Sequence, residues 1–325
     1  MSKAKKTGSK DAERKAKAPV NAGEKSLTIE GVTVPVSHLD KVYYPGEGIT
    51  KGDVIQYYLS MADYLMKYLK GRPLSLFRNP GGIGEPGFFQ KDVDGNLPSF
   101  AASYEMEAAS TGKIVHYFVC NNLASLVYLN NLGCIEINPW HSTVNSPDRP
   151  DYLIIDIDPS VNNTFEQVME TALTIREVLD HAGAPSYCKT SGATGMHIYV
   201  PASGKYLYDE LKDFAHEVCL RVNGRLSATT TLQRSLSKRD RSQIYLDYLQ
   251  NSRSQTIASV YSLRPRPGAT VSTPLDWKEV RKGLTPGEFT IQNTLQRVRR
   301  QGDFFNNVLG KGIDLKKCVR ALPAQ

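Results

Sequence analysis

Cysteine is scarce and scattered. Cys120, Cys134, Cys188, Cys219 and Cys318 include no Cys-x-x-Cys pair, which argues against a structural zinc site and against a disulfide framework. A reducing, cytoplasmic setting fits that usage. No apolar run approaches the roughly 20 residues that a membrane helix needs, so no membrane partner is expected. The basic N-terminus has no apolar core of the secretory-signal kind. A Walker A loop is also missing, because no Gly-Lys-Ser/Thr step leads into a helix. With 40% hydrophobic and 22% charged residues in 325, the chain is neither collagen-like, coiled-coil nor wholly disordered.

Positive charge is present but unevenly placed. The net charge is +7, and residues 1–26 hold eight basic against three acidic side chains, which leaves +2 for the remainder. This segment lacks a periodic apolar face and reads as a disordered basic tail. It suits a polyanionic partner, through counterion release, or serves as a solubilising leader. From Leu27 onward strands and helices interleave without an internal repeat, which predicts a mixed α/β fold. "LTIEGVTVPV" predicts a hairpin turning at Gly31. Thr50 and Asp53 predict a capped helix running to Leu69. "NPGGIGEPGFFQK" predicts an exposed loop. "KIVHYFVC", "CIEINPW", "DYLIIDIDP" and "SQIYLDYLQN" predict strands. Helices are expected after Leu123, over 164–181, over 206–222 and near 289–300.

The chemistry-bearing residues begin with Asp156 and Asp158. At i and i+2 on a strand they share one face, with Cα atoms roughly 6.5–7 Å apart. Two carboxylates so placed repel unless a cation lies between them, and two-metal phosphoryl-transfer sites use such pairs. An Asp-x-Asp at a strand end also serves as a plain turn or helix cap. Asp247, inside the apolar "IYLDYLQ", needs a partner or a metal as well. "KTSGATGMH" joins two strands through small residues. It reads either as an ordinary hairpin with a half-buried His197 or as an anion-binding turn using Ser191 and backbone N–H groups. Arg264 and Arg266, around Pro265, suit a triphosphate or a nucleic-acid backbone. Phe88 and Phe89, beside Lys91, either stack on a nucleobase or fold back onto the core. "SKRDR" (237–241) and "QRVRR" (296–300) each read as a solvated basic face.

Taken together, "LDKVYYPGEGITKGD", "GFFQK", "DIDP", "KTSGATGMH", "IYLDYLQN" and "YSLRPRPGATVSTPLDW" resemble, in that order, the polymerase domain of bacterial DNA ligase D, in the archaeo-eukaryotic primase superfamily. The resemblance runs from about Leu39 to Phe305 and lacks the ligase and phosphoesterase domains. It implies a single primase-polymerase domain over 27–325. An N-terminal module (about 27–145) would pack on an RRM-like catalytic sheet (about 146–260), followed by a loop-rich and helical extension (261–325). It implies two divalent ions, Mn2+ or Mg2+, on Asp156, Asp158 and Asp247. Ser191, Gly192, Thr194, His197, Gln250, Arg264 and Arg266 would bind the nucleotide. Lys41 and Lys51 would grip a 5′-phosphate, and Phe88, Phe89 and Lys91 would meet DNA. The implied activity is template-dependent extension, with ribonucleotides preferred over deoxynucleotides, at 5′-phosphorylated gaps or ends. It would act with Ku and a DNA ligase in non-homologous end joining, in the bacterial nucleoid. Asn138 and Thr194 depart from the His and Lys that the family often carries there, which bears on triphosphate affinity and sugar preference. The other classes considered are a two-metal nuclease or phosphoesterase and a non-catalytic DNA-end-binding module.

Overall fold

The structure is a computed structural model and describes residues 24–94, 96–108 and 112–324. Residues 1–23 of the expected basic tail lie outside the described residues. The tail reading also ran too far, because Glu24, Lys25 and Ser26 already pair with Ser37, Val36 and Pro35.

The first half of the chain runs β1 (Glu24–Ile29), β2 (Val32–Ser37), β3 (Val42–Tyr44), β4 (Ile49–Thr50), α1 (Lys51–Ser60), α2 (Ala62–Leu69), β5 (Pro73–Arg78), β6 (Phe88–Gln90), β7 (Ala102–Glu107), β8 (Ile114–Val119), α3 (Leu123–Asn131) and β9 (Cys134–Pro139). Gly31, at φ +81°, turns the expected hairpin. Thr50 caps α1 and exchanges hydrogen bonds with Asp53 as the spacing predicts. The expected single helix is instead two, broken at Met61. The glycine-rich loop also ends differently from its composition: Phe88, Phe89 and Gln90 pair with Arg78, Phe77 and Leu76 as a short edge strand. β5 is the hub of this sheet, flanked by β6 and β8 on one side and β9 on the other.

The second half runs β10 (Tyr152–Asp158), α4 (Phe165–His181), β11 (Tyr187–Thr190), β12 (Met196–Pro201), α5 (Tyr208–Arg225), β13 (Thr230–Thr231), β14 (Ile244–Asp247), β15 (Pro274–Leu275), α6 (Thr294–Gln301) and α7 (Leu315–Ala321). The strand order is β13-β14-β10-β12-β11-β15. Its centre is a βαββαβ unit ordered 4-1-3-2, the split βαβ arrangement shared with RRM sheets. The implied RRM-like catalytic sheet is therefore present. The C-terminal helix starts at Thr294 rather than near 289, and α7 had no counterpart in the sequence reading.

Strand alternation gives this sheet two different faces. Leu153, Ile155 and Ile157 point into a core with Val168, Ala172 and Ile175 of α4 and Leu211, Phe214 and Val218 of α5. Tyr152 and Ile154 point the other way, into a core shared with Tyr58, Leu74, Leu76 and Ile137 of the first half. A continuous apolar layer thus joins the two halves, and the carboxylate end of β10 opens at its margin.

Asp303 locks the C-terminal extension to this layer. Its carboxylate accepts from the hydroxyls of Tyr68 (3.1 Å) and Tyr261 (2.8 Å), and it pairs with Lys67 Nζ at 2.6 Å. Asp303→Ala leaves two buried hydroxyls without an acceptor and should cost about 3 kcal/mol, whereas Asp303→Asn should cost roughly half of that. Urea unfolding measures both, and an unchanged midpoint for the alanine variant would show that Asp303 does not hold the extension.

Candidate active site

Register brings the site together. In the antiparallel pairing of β10 with β14, Asp156 lies opposite Asp247; in the pairing with β12 it lies opposite His197. His197 in turn lies opposite Lys189 of β11. A single row crosses four strands on the face away from α4 and α5: Asp247, Asp156, His197, Lys189. Asp158, two residues along β10, shares that face.

The row is electrostatically tense. Burial, then Asp158 and Asp247, push the Asp156 carboxyl up to about 8, against the pull of Lys189 and Arg264. Burial raises the Asp247 carboxyl as well, opposed by the Leu249 N–H (2.9 Å) and the Tyr245 hydroxyl (3.3 Å). His197 Nε2 stands 3.5 Å from Asp156 Oδ1. Burial, then Lys189 and Arg264, hold its imidazole far below the ordinary range, so the ring is neutral. Asp158 pairs with Arg239 Nη1 at 3.3 Å, and that guanidinium lies 4.2 Å from the Tyr245 ring centre. Arg239, read from sequence as part of a solvated face, has a side chain only 5% exposed. A carboxylate pair within reach of its loop draws it inward. Among the described residues no three His, Cys, Asp or Glu side chains close into a metal-ligand set; Asp158 and Asp247 are engaged by Arg239 and by Leu249, respectively.

A cleft of about 240 Å³ opens over this row. Its walls include Asp156, Asp158, Ser191, Thr194, His197, Arg264, Glu136, Asn138 and Phe89. The hairpin on one side tolerates no side chains at its glycines. A Cβ on Gly195 would sit 2.1 Å from the Ile157 carbonyl oxygen, and Gly192, at φ +70°, packs on the Ser272 backbone nitrogen. Ser191 Oγ accepts from the N–H groups of Ala193 (3.0 Å) and Gly195 (3.1 Å). Those two amides are therefore spent inside the turn, and the Ser191 hydroxyl proton remains for an anion. Arg264 braces the turn, donating to the Ser191 carbonyl at 3.1 Å and pairing with Glu136 at 3.0 Å.

Two expected nucleotide contacts, Arg266 and Gln250, are not among the residues lining the cleft, whereas Thr194 is. The Arg266 N–H closes a tight turn on the Arg264 carbonyl at 2.9 Å. Gln250 lies beside the cleft and donates to Asp247 at 3.4 Å. Thr194 is exposed at the hairpin tip. Glu136 and Lys189 were missed. Both are buried charges within apolar strands, the pattern that singled out Asp247.

A second hollow, of about 670 Å³, is lined by Ser37, Lys41, Lys51, Arg78 and Pro80 among others. Lys41 and Lys51 are thus brought together, with Nζ atoms donating to the carbonyls of Pro80 (2.6 Å) and Ser37 (2.7 Å). Burial, then the charge of Lys41, lower the Lys51 ammonium to about 8. Arg78 links this hollow to the cleft: its guanidinium lies 5.4 Å from the Phe88 ring, and the next residue, Phe89, lines the cleft. Phe88 and Phe89 are 48% and 60% exposed, with Phe89 edge-on to Phe77 at 4.6 Å. One ring thus anchors on the core, and both keep faces open. Lys91 is exposed just beyond them.

The chain has relatives among known proteins. The bifunctional non-homologous end joining protein LigD of Bacillus subtilis is 33% identical over 274 residues, covering 83% of this chain and 44% of that protein. The multifunctional LigD of Pseudomonas aeruginosa is 28% identical over 86% of this chain and 32% of its own length. The chain therefore spans less than half of these relatives. Among solved structures, the polymerase domain from Mycobacterium tuberculosis ligase D in complex with DNA superposes with a TM-score of 0.78 at 26% identity, covering 86% of this chain and 98% of that one. No helix among the described residues is long and apolar enough to cross a membrane. The family model of the LigD primase-polymerase domain matches residues 50–305, the span that holds the carboxylate row, the hairpin and the aromatic pair, and the chain belongs to that family.

Proposed function

We propose that this chain is a template-dependent nucleotidyltransferase that extends a primer at gaps or ends with a 5′-phosphate, in non-homologous end joining, alongside Ku and a DNA ligase. The observation that carries the reading is the register of Asp156 between Asp247 and His197, with the Ser191 hairpin over the same cleft. The polymerase domain of the M. tuberculosis ligase D and its DNA complex support it by likeness. A two-metal nuclease would need the carboxylates but not an anion-binding turn beside them. A DNA-end-binding module would need neither.

The donor set fits hard divalent cations, because Asp156, Asp158 and Asp247 offer only carboxylate oxygens and leave a strained cluster of negative charge on one face. These three residues would hold Mn2+ or Mg2+. Such ions supply activation of a primer 3′-hydroxyl and neutralisation of charge developing on the triphosphate. Around them the chain does the positioning. Ser191 and His197 face the triphosphate with donors, and Arg264 keeps the hairpin in place. Phe89 offers a face for a base at the cleft mouth. Lys41, Lys51 and Arg78 would receive the 5′-phosphate of the downstream strand.

The decisive assay is extension of a gapped duplex bearing a 5′-phosphate, comparing NTP with dNTP and Mn2+ with Mg2+. Asp156→Ala and Asp247→Ala should each abolish extension while DNA binding survives; residual extension by either variant would refute their assignment. Lys51 yields a pH dependence. Its charged form prevails below about pH 8 and is lost above it. Preference for 5′-phosphate over 5′-hydroxyl duplex should therefore fall about tenfold from pH 7 to pH 9.5. Lys41→Ala should move that fall to higher pH by removing a like charge. Titrating both duplexes by fluorescence anisotropy checks this, and a flat ratio would remove Lys51 from the phosphate site.

A further inference from the structure

Lys189 is completely buried and is not part of the cleft wall. Its Nζ faces three partners: the Ala258 carbonyl at 2.9 Å, Ser272 Oγ, and His197 Nδ1 at 2.7 Å. The Ala258 carbonyl only accepts. Ser272 donates its hydroxyl proton to the Thr190 carbonyl at 2.9 Å, so its oxygen accepts from the lysine. Two ammonium protons are thereby directed, and the third points at His197 Nδ1. On the far side of the ring, Nε2 faces Asp156 Oδ1 at 3.5 Å.

A neutral imidazole carries a single N–H. Were it on Nδ1, that hydrogen would point straight at the ammonium 2.7 Å away. On Nε2 it leaves the Nδ1 lone pair to accept from the lysine. A phosphate oxygen entering the cleft can only accept, and so calls for the Nε2–H.

We propose that Lys189 is a positioning residue for the nucleotide site: without touching substrate, it holds His197 in the Nε2–H tautomer, so that the ring presents a donor rather than a lone pair to a triphosphate oxygen. The purpose given to that donor rests on the nucleotidyltransferase reading above. The residue type follows from the geometry. Lys189 and His197 are register partners on one sheet face, and the site asks for a long stem ending in a compact tripod of donors. The planar fork of arginine cannot satisfy three acceptors so arranged. Burial, then Arg264, lower the ammonium well below its usual range, and Asp156 and Glu136 pull the other way.

The test reads the tautomer directly in metal-free protein labelled with 15N-histidine. Two-bond 1H–15N correlation spectra distinguish the two tautomers, and His197→Gln assigns the signals. The wild-type ring should show the Nε2–H pattern, and Lys189→Met should lose it while near-ultraviolet circular dichroism stays native. A wild-type Nδ1–H pattern, or an unchanged pattern in Lys189→Met, would overturn the proposal; should that variant not fold, the wild-type spectrum still decides. Binding of ATP with Mg2+ forms the second arm. Lys189→Met should weaken it about tenfold, and should cost nothing more in a His197→Gln background. An additive loss would make Lys189 an independent contributor and refute the positioning role. Wild-type protein that shows the tautomer yet binds no ATP would refute the nucleotide-site reading instead.

Discussion

Antiparallel pairing on both sides of β10 is the constraint on which the rest of the site depends. It sets Asp247, Asp156, His197 and Lys189 side by side although they come from four separate strands. A slip of one residue in either pairing would turn the neighbouring side chains to the opposite face, into the α4 and α5 core. Leu153, Ile155 and Ile157 guard against that slip, because it would take them out of the core on the helix side. Apolar packing on one face thus holds polar chemistry on the other.

The row is also a charge gradient across the sheet. Carboxylates crowd one end and a buried ammonium sits at the other, with a neutral imidazole between them. No member is comfortable alone: burial raises Asp156 and Asp247 and lowers Lys189 and His197. Arg239, Arg264 and Glu136 moderate this imbalance from the periphery, through Asp158, the hairpin carbonyl and the cleft wall. Strained electrostatics of this kind favour ligands that bring the missing charge, which links the stability of the sheet to what the cleft can bind.

The first half of the chain contributes position as well as mass. β5 carries Arg78 into the lysine hollow, and its edge partner β6 carries Phe89 to the cleft. Two paired strands therefore connect a basic hollow with an acidic cleft. On the proposed function, this spacing would let the chain handle a primer end and a downstream phosphate together.

Much of this was legible in the residues themselves. Alternation in "DYLIIDIDP" put Asp156 and Asp158 on one face, and the Thr50 cap marked a helix start, because side-chain period and capping are local properties. Edge pairing of Phe88 to Gln90 was not legible, since a glycine-rich composition says nothing about which strand lies nearby. The inward turn of Arg239 was hidden for the same reason: its partner is 81 residues away in the chain. Glu136 and Lys189 stood in plain view as charges in apolar strands, yet their partners could not be named, because pairing across a sheet is a non-local choice. Sequence by itself determined most of the longer elements, the buried face of β10 and the family motifs. Tertiary structure alone decided register, and with it which charges meet, because hydrogen bonding between strands distant in the chain depends on the packing of the whole core.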